Sequence, residues 1–152
     1  TKQAITQNLD VKAFYTAVAT CFPAYGKVFG KSIEGNLGAG GVDPTTPAMK
    51  AYRKAHMEVT GKPADGWASA NTYVSLQVLE QAIEGVGSVD RKAVTQFIKD
   101  NTFKTIMGDI DFVDQVSHRY WTVGQWQGGE FYGVASKGMP NAKPVILKKG
   151  WK

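Results

Sequence analysis

A chain of 152 residues with 43% apolar and 20% charged side chains can bury one core of ordinary size, and it lacks the bias of disordered or collagen-like sequences. The formal charge of +5 is spread along the length, with Lys and Arg beside acids in VDRKAV and FIKDN, so no basic block or binding motif points to a nucleic acid. Cys21 is the only cysteine, which excludes an internal disulfide framework, and no Cys/His cluster has zinc spacing.

No run approaches the roughly 20 apolar residues needed to cross a bilayer. The first residues, TKQAITQNLD, have neither the basic start nor the apolar middle of a secretion signal, so any export signal is expected upstream.

In chain order, VKAFYTAVA (11–19) is an apolar run rich in β-formers and predicts a buried strand. FPAYGKVFGKSI follows as a short helix interrupted by glycines. EGNLGAGGV reads as a glycine-rich strand, suited to a place where backbone passes close to a neighbour or a ligand, near a crossing between layers.

The helix over 46–60 is strongly punctuated. Thr45 or Thr46 can cap its free amides, Pro47 fits the first helical position, and Gly61 followed by Pro63 stops it. Met49, Tyr52, His56 and Val59 share one face, while Lys50, Arg53 and Lys54 point away, as in a surface helix lying on a sheet. In the next helix, about 68–84, apolar residues from Tyr73 to Ile83 spread around much of the circumference, which predicts deeper burial between layers.

A third helix opens at Ser88 or Asp90, buries Val94, Phe97 and Ile98, and ends near Asn101. RYWTVGQWQGGEFYGVAS predicts two strands joined by a tight turn at Gly128-Gly129, and the tail GMPNAKPVILKKGWK reads as extended. Alternating strands and helices give an α/β class. Strands are few for so many helices and no opening unit is apparent, so the chain reads as the second part of something larger.

Chemistry is sparse. A nucleophilic Cys21 would need a base, and His56 and His118 are the only histidines. Cys21 therefore reads as a small buried or pocket-lining residue, His56 as a boundary residue on the inner helix face, and His118 as solvated in a turn. Asp109, Asp111 and Asp114 in GDIDFVD lack the central glycine and later glutamate of a calcium loop. GNLGAGG fits neither a P-loop nor a dinucleotide fingerprint, and the aromatics at 120, 121, 126, 131 and 132 suit ordinary hairpin packing better than base stacking. No catalytic residue, metal or cofactor is expected.

The order of TPAMKAYRKAHMEVTGKPADGWASANTYVSLQVLEQAI, DRKAVTQFIKDNTFKTIMGDIDFVD, YWTVGQWQGGEFYGV and KPVILKKGW resembles the C-terminal part of periplasmic solute-binding proteins of the branched-chain amino acid (Leu/Ile/Val-binding) family, from about Leu9 to Trp151. That resemblance implies a type I fold, with two Rossmann-like α/β lobes joined by three crossings that close on a small ligand, and a membrane permease of an ABC importer as partner in the periplasm. On it, residues 1–62 belong to the C-terminal lobe, 63–118 return to the N-terminal lobe, and 119–152 supply the crossover strands and tail. A chain holding only pieces of both lobes is expected to pair with the missing N-terminal portion or to self-associate. A sensory or regulatory ligand-binding domain of the same fold is the alternative.

The resemblance also implies the ligand-facing residues. GKPADGW becomes an interlobe crossing, with Trp67 either at the mouth of the cleft or plugging the joint between loop and helix. The loop after the first strand supplies Thr16, Ala17, Ala19, Thr20, Cys21 and Phe22. Relatives that hold an α-amino acid commonly place a carboxylate here for the ammonium, and this loop has none. An aromatic or other carboxylate ligand, bound through hydroxyls, stands beside a branched-chain amino acid held by an acid from elsewhere.

Overall fold

The computed structural model describes residues 1–119, 123–135 and 141–151. In chain order these form α1 (Lys2–Thr6), β1 (Phe14–Thr16), a 3₁₀ turn at Val18–Cys21, α2 (Pro23–Phe29), a second 3₁₀ turn at Gly30–Ile33 and β2 (Asn36–Ala39). Then come α3 (Pro47–Thr60), α4 (Ala68–Val86), α5 (Arg91–Asp100), β3 (Phe103–Thr105), β4 (Gly108–Ile110), β5 (Val123–Gln127) and β6 (Glu130–Ala135). Among the described residues the strands make a four-stranded sheet, ordered β1-β2-β5-β6, and a separate β3-β4 ribbon.

The strand anticipated over 11–19 is only three residues long. β1 runs parallel to β2 from Phe14↔Asn36 to Thr16↔Gly38, with Tyr15 56% exposed, and the chain then coils because Thr20 N–H donates to the Ala17 carbonyl and Phe22 N–H to that of Ala19. Local 3₁₀ bonds have replaced the ladder. β2 pairs antiparallel with β5, so the sheet is mixed, and β5 turns into β6 through Gly128 (φ 61°) and Gly129 (φ 83°). Two consecutive positive φ values are what a type I′ hairpin turn demands and what glycine accepts without strain.

α3 begins as its sequence dictates: the Thr46 hydroxyl accepts the Met49 N–H at 3.1 Å, Pro47 is the first helical residue, and Gly61 closes the end at φ 67°. Its buried face is narrower than its pattern suggested. Met49 and Tyr52 are buried and His56 is half-buried, but Val59 is 85% exposed because the fourth turn extends past the core. That face joins the cluster containing Ala70, Val74 and Val78 of α4, with the Tyr52 and Tyr73 rings 4.9 Å apart.

α4 departs further from expectation. Only Ala70, Val74, Val78 and Ala82, spaced by four, are buried, while Tyr73, Leu76 and Leu79 are 44%, 59% and 44% exposed. α5 and β3 cover one side of the helix, and a second apolar side is left open. α5 is capped by Asp90, whose carboxylate accepts the Ala93 N–H at 2.9 Å, and it buries Val94. The β3-β4 ribbon gave no sequence signal. It docks on α4 by two glutamines: Gln81 exchanges both amide groups with the Lys104 backbone, and Gln77 accepts from Ile106 N–H.

A second core lies under the sheet, where Cys21, Ile33, Trp126 and Phe131 pack with Tyr25, Phe29 and Trp67. Glycine permits this closeness. A Cβ on Gly41 would stand 2.7 Å from the Gly133 backbone, which is the close passage anticipated for the glycine-rich segment.

The extended tail is fastened by buried polar groups. Gln125, fully buried, donates to the Gly35 and Ile146 carbonyls at 2.9 and 2.8 Å and accepts Ile146 N–H at 2.9 Å, replacing a strand partner with one side chain. Trp151 donates to the Leu9 carbonyl and packs edge-on against Phe14. Lys148 is 4% exposed, with its ammonium held by the Ser32 and Glu34 carbonyls and the Trp151 ring, and burial lowers its pKa from the ordinary value.

Gln125→Ala should therefore strip the tail and leave three backbone groups without partners, lowering stability by about 3 kcal/mol. Gln127→Ala, at a half-buried neighbour that bonds the Pro144 carbonyl, should cost less than about 1 kcal/mol. Denaturant unfolding compares the two, and equal losses would mean that the Gln125 bridge carries nothing special.

Candidate functional site

The parallel strands β1 and β2 end side by side at Thr16 and Ala39, and the segments that leave them fold toward each other. Loops at the carboxyl ends of parallel strands are where α/β sheets place ligands. From β1 comes the turn Ala17–Phe22. The Thr16 and Thr20 hydroxyls are hydrogen-bonded to each other, and the Thr20 carbonyl accepts the Trp126 indole N–H at 2.7 Å, from 106 residues away.

From the crossing between α3 and α4 comes Gly66, whose N–H donates to the Cys21 carbonyl at 3.2 Å, and then Trp67. Trp67 stands at the start of α4 with a non-helical backbone (φ −150°, ψ −69°). Its indole lies on Gly40, where an added Cβ would sit 2.1 Å from Cδ1. Gly40 is itself at φ 85°, so two independent constraints exclude a side chain there.

The structure gathers Cys21, Phe22 and Trp67 into one cluster, with Thr20 beside it through Gly38 and Trp126. Thr20 and Cys21 are 1% exposed, Thr16, Phe22 and Trp67 are half-buried, and Ala17 and Ala19 are exposed on the outer side of the turn. Thr16 and the two alanines thus offer the turn's accessible surface, and Thr20 and Cys21 form its backing.

Beneath the crossing is a cleft of about 220 Å³, lined among others by Cys21, Arg53, Asp65, Trp126, Glu130 and Phe131. Arg53 and Glu130 pair across it at 3.1 Å. Asp65, two residues before Trp67, accepts the Trp67 N–H at 2.7 Å on Oδ1 and the Ser69 N–H at 3.1 Å on Oδ2. Sequence reasoning passed over Asp65, although an acid just before a helix start is the residue type that caps free amides. It read Trp126 as ordinary hairpin packing, which its burial bears out, but its bond to the turn at Thr20 has no local signature.

Cys21 is chemically quiet. Burial, reinforced by the negative charge of Asp65, pushes its thiol from 9.0 up to about 12, and its Sγ–H donates to the Val18 carbonyl at 2.9 Å. Burial, helped by Asp65 and Tyr73 and opposed by a hydrogen bond with Ser69, likewise raises Tyr52. His56 is engaged with the Lys62 carbonyl and the Thr60 hydroxyl, and His118 is exposed. The aspartates of GDIDFVD have separate tasks: Asp109 pairs with Lys104, Asp111 faces Arg119, and Asp114 occupies a turn at φ 49°. Among the described residues no group of three His, Cys, Asp or Glu side chains is placed to hold a metal ion. Trp126 and Phe131 are buried and Tyr132 lies under Lys143, while Tyr120 and Trp121 fall outside the described residues.

Residues 1–130 match the periplasmic binding protein family. The chain belongs to that family. Its fold is the type I periplasmic binding fold, represented in part. Among solved structures it resembles a leucine-binding protein of Thermotoga maritima (22% identity, TM-score 0.63, covering 86% of this chain and 38% of that one). It also resembles the closed form of a leucine-, isoleucine-, valine-, threonine- and alanine-binding protein of Brucella ovis (19%, TM-score 0.69, 99% and 39%). A third likeness is a solute-binding protein of an ABC transporter from Rhodopseudomonas palustris in complex with benzoate (16%, TM-score 0.57, 79% and 34%). No curated protein matches. The chain spans less than two fifths of the length of these three binding proteins.

In this periplasmic binding protein chain, Cys21 should resist alkylation at pH 8 while folded and react fully once unfolded, as a timed iodoacetamide reaction followed by mass will show. Because its folded pKa lies above its ordinary value, the unfolded chain loses the proton first. Stability from this group is complete below pH 9 and falls between pH 9 and about 12, by up to about 1.4 kcal/mol per unit. A Cys21→Ala variant should show a flatter decline over that range.

Proposed function

We propose that the chain is the C-terminal part of an extracytoplasmic solute-binding protein that captures a small organic ligand between two lobes and delivers it to the permease of an ABC importer. The observation that carries this reading is the meeting of the turn 16–22 and the crossing at Trp67, at the carboxyl ends of β1 and β2, where such sheets place ligands. Residues 1–62 and 119–152 would serve one lobe with its crossovers, and 63–118 the other. Its work is binding rather than catalysis: the thiol beside the cleft is held protonated, its Sγ–H is given to the Val18 carbonyl, and the nearby Asp65 carboxylate is taken up by the amides of Trp67 and Ser69.

Closure follows from differential contact. A ligand touching both lobes binds the closed arrangement better than the open one and shifts the population by that difference. Trp67 supplies rigid apolar area, and Thr16 a hydroxyl that can donate to a carboxylate. No acid stands in the turn 16–22, and this favours a small carboxylate, aromatic or aliphatic, over an amino acid whose ammonium would need a partner.

Two outcomes are expected. In a thermal-shift screen of the full-length protein, benzoate-type carboxylates should raise Tm, with about 2.7 kcal/mol of stabilisation at a hundredfold excess over Kd. A strong shift by leucine, isoleucine or valine with none from carboxylates would put the ammonium partner in the other lobe. Alone, the present chain should associate through the open face of α4 at Tyr73, Leu76 and Leu79 or pair with the N-terminal portion. Sedimentation velocity will report it, and a cooperative, strictly monomeric fragment would speak against the partial-lobe reading.

A further inference from the structure

We infer that Asp65 is the residue that positions Trp67 for the ligand, a proposal that rests on the reading of Trp67 as part of the binding cleft. Helix α4 receives no cap from the side chain at its own N-cap position, because that position is Trp67. Its free amides are met instead from two residues upstream. Asp65 Oδ1 lies 2.7 Å from Trp67 N and 3.3 Å from Ser69 N, and Oδ2 lies 3.1 Å from Ser69 N. The carboxylate is therefore fixed on the positive end of a 19-residue helix, and it grips the backbone amide of the indole-bearing residue itself.

Three contacts then determine where the indole points. Asp65 holds the Trp67 amide, the Gly66 N–H ties the preceding residue to the Cys21 carbonyl, and Gly40 gives the ring a flat seat. Of these, the Asp65 contact is the one that acts at the residue and leaves the ring unobstructed.

At the other end of the crossing, the Lys62 carbonyl takes bonds from His56 and Thr60, closing the α3 side. Both ends of GKPADGW are thus fastened by side chains, with Pro63 and Ala64 between. The indole is carried by a rigid link and not by a loose loop, and an aromatic side chain ordered before the ligand arrives loses little entropy on binding.

The test is a double-mutant cycle in the full-length protein, read by titration calorimetry at 15 °C with benzoate, or with leucine where leucine is the probe that raises Tm. Asp65→Ala should weaken binding about tenfold, as should Trp67→Ala, and the double variant should be no weaker than Trp67→Ala alone. Asp65→Asn, which keeps an acceptor at the Oδ1 position, should restore affinity to within about threefold of wild type and should recover the wild-type tryptophan emission maximum that Asp65→Ala shifts. If Asp65→Ala is too unstable to titrate, Asp65→Ser and Asp65→Asn carry the comparison. Additive losses in the double variant would overturn the proposal, since Asp65 would then act on the ligand independently of Trp67. So would wild-type affinity in Asp65→Ala while Trp67→Ala is weakened. Wild-type affinity in Trp67→Ala would remove the underlying reading of Trp67 instead.

Discussion

The bond from the Trp126 indole to the Thr20 carbonyl joins residues 106 positions apart, and the candidate site depends on it. Thr20 lies in a 3₁₀ turn held within itself by 3.3 Å backbone contacts, one thiol donor and the bond between the Thr16 and Thr20 hydroxyls, all of them short-range. Anchoring one of its carbonyls to a buried ring on β5 fixes the turn against the sheet. The next carbonyl, of Cys21, can then receive Gly66, and the crossing is placed by the turn. Because both polar groups of the Trp126–Thr20 bond are buried, losing either leaves the other without a partner, so the arrangement is held all or none.

The structure divides its apolar residues into two clusters with different completeness. The cluster around Trp126 and Phe131 is closed by α2, the sheet and the crossing. The larger one runs from Val42 and Met49 through α4 to the β3-β4 ribbon, and on its outer side α4 still shows Tyr73, Leu76 and Leu79. A helix with apolar residues on two sides is built for a place between layers, and here one layer is present.

What could be read from the sequence is what is decided locally. Thr46, Pro47, Gly61 and Asp90 terminate helices through atoms a few residues away, and Gly128-Gly129 specifies its turn through backbone freedom alone, so each was legible. The short β1, the exposed side of α4 and the ribbon at 103–110 depend on which neighbours arrive, and periodicity carries no record of that. Gln77 and Gln81 illustrate the point: in the helix pattern they are merely polar, yet they supply the contacts that dock β3. For the site, the turn 16–22 and Trp67 were reached through resemblance, whereas Asp65 was hidden by its plainness as one more acid in a polar loop.

Preorganisation connects these observations to binding. The turn is pinned by Trp126, the crossing by Asp65 and Lys62, and the indole seat by a glycine whose φ of 85° admits no ordinary side chain. A surface so constrained contributes contact area without first having to be ordered, so less of the interaction energy with anything that docks there is lost to ordering. The same rigidity restricts what can move. With side-chain bonds holding both ends of GKPADGW, any bending of this segment must be absorbed near Pro63 and Ala64, and proline fixes one of the available torsions. The rotation left to this segment is therefore narrow, and the indole that follows it is held to one geometry rather than many.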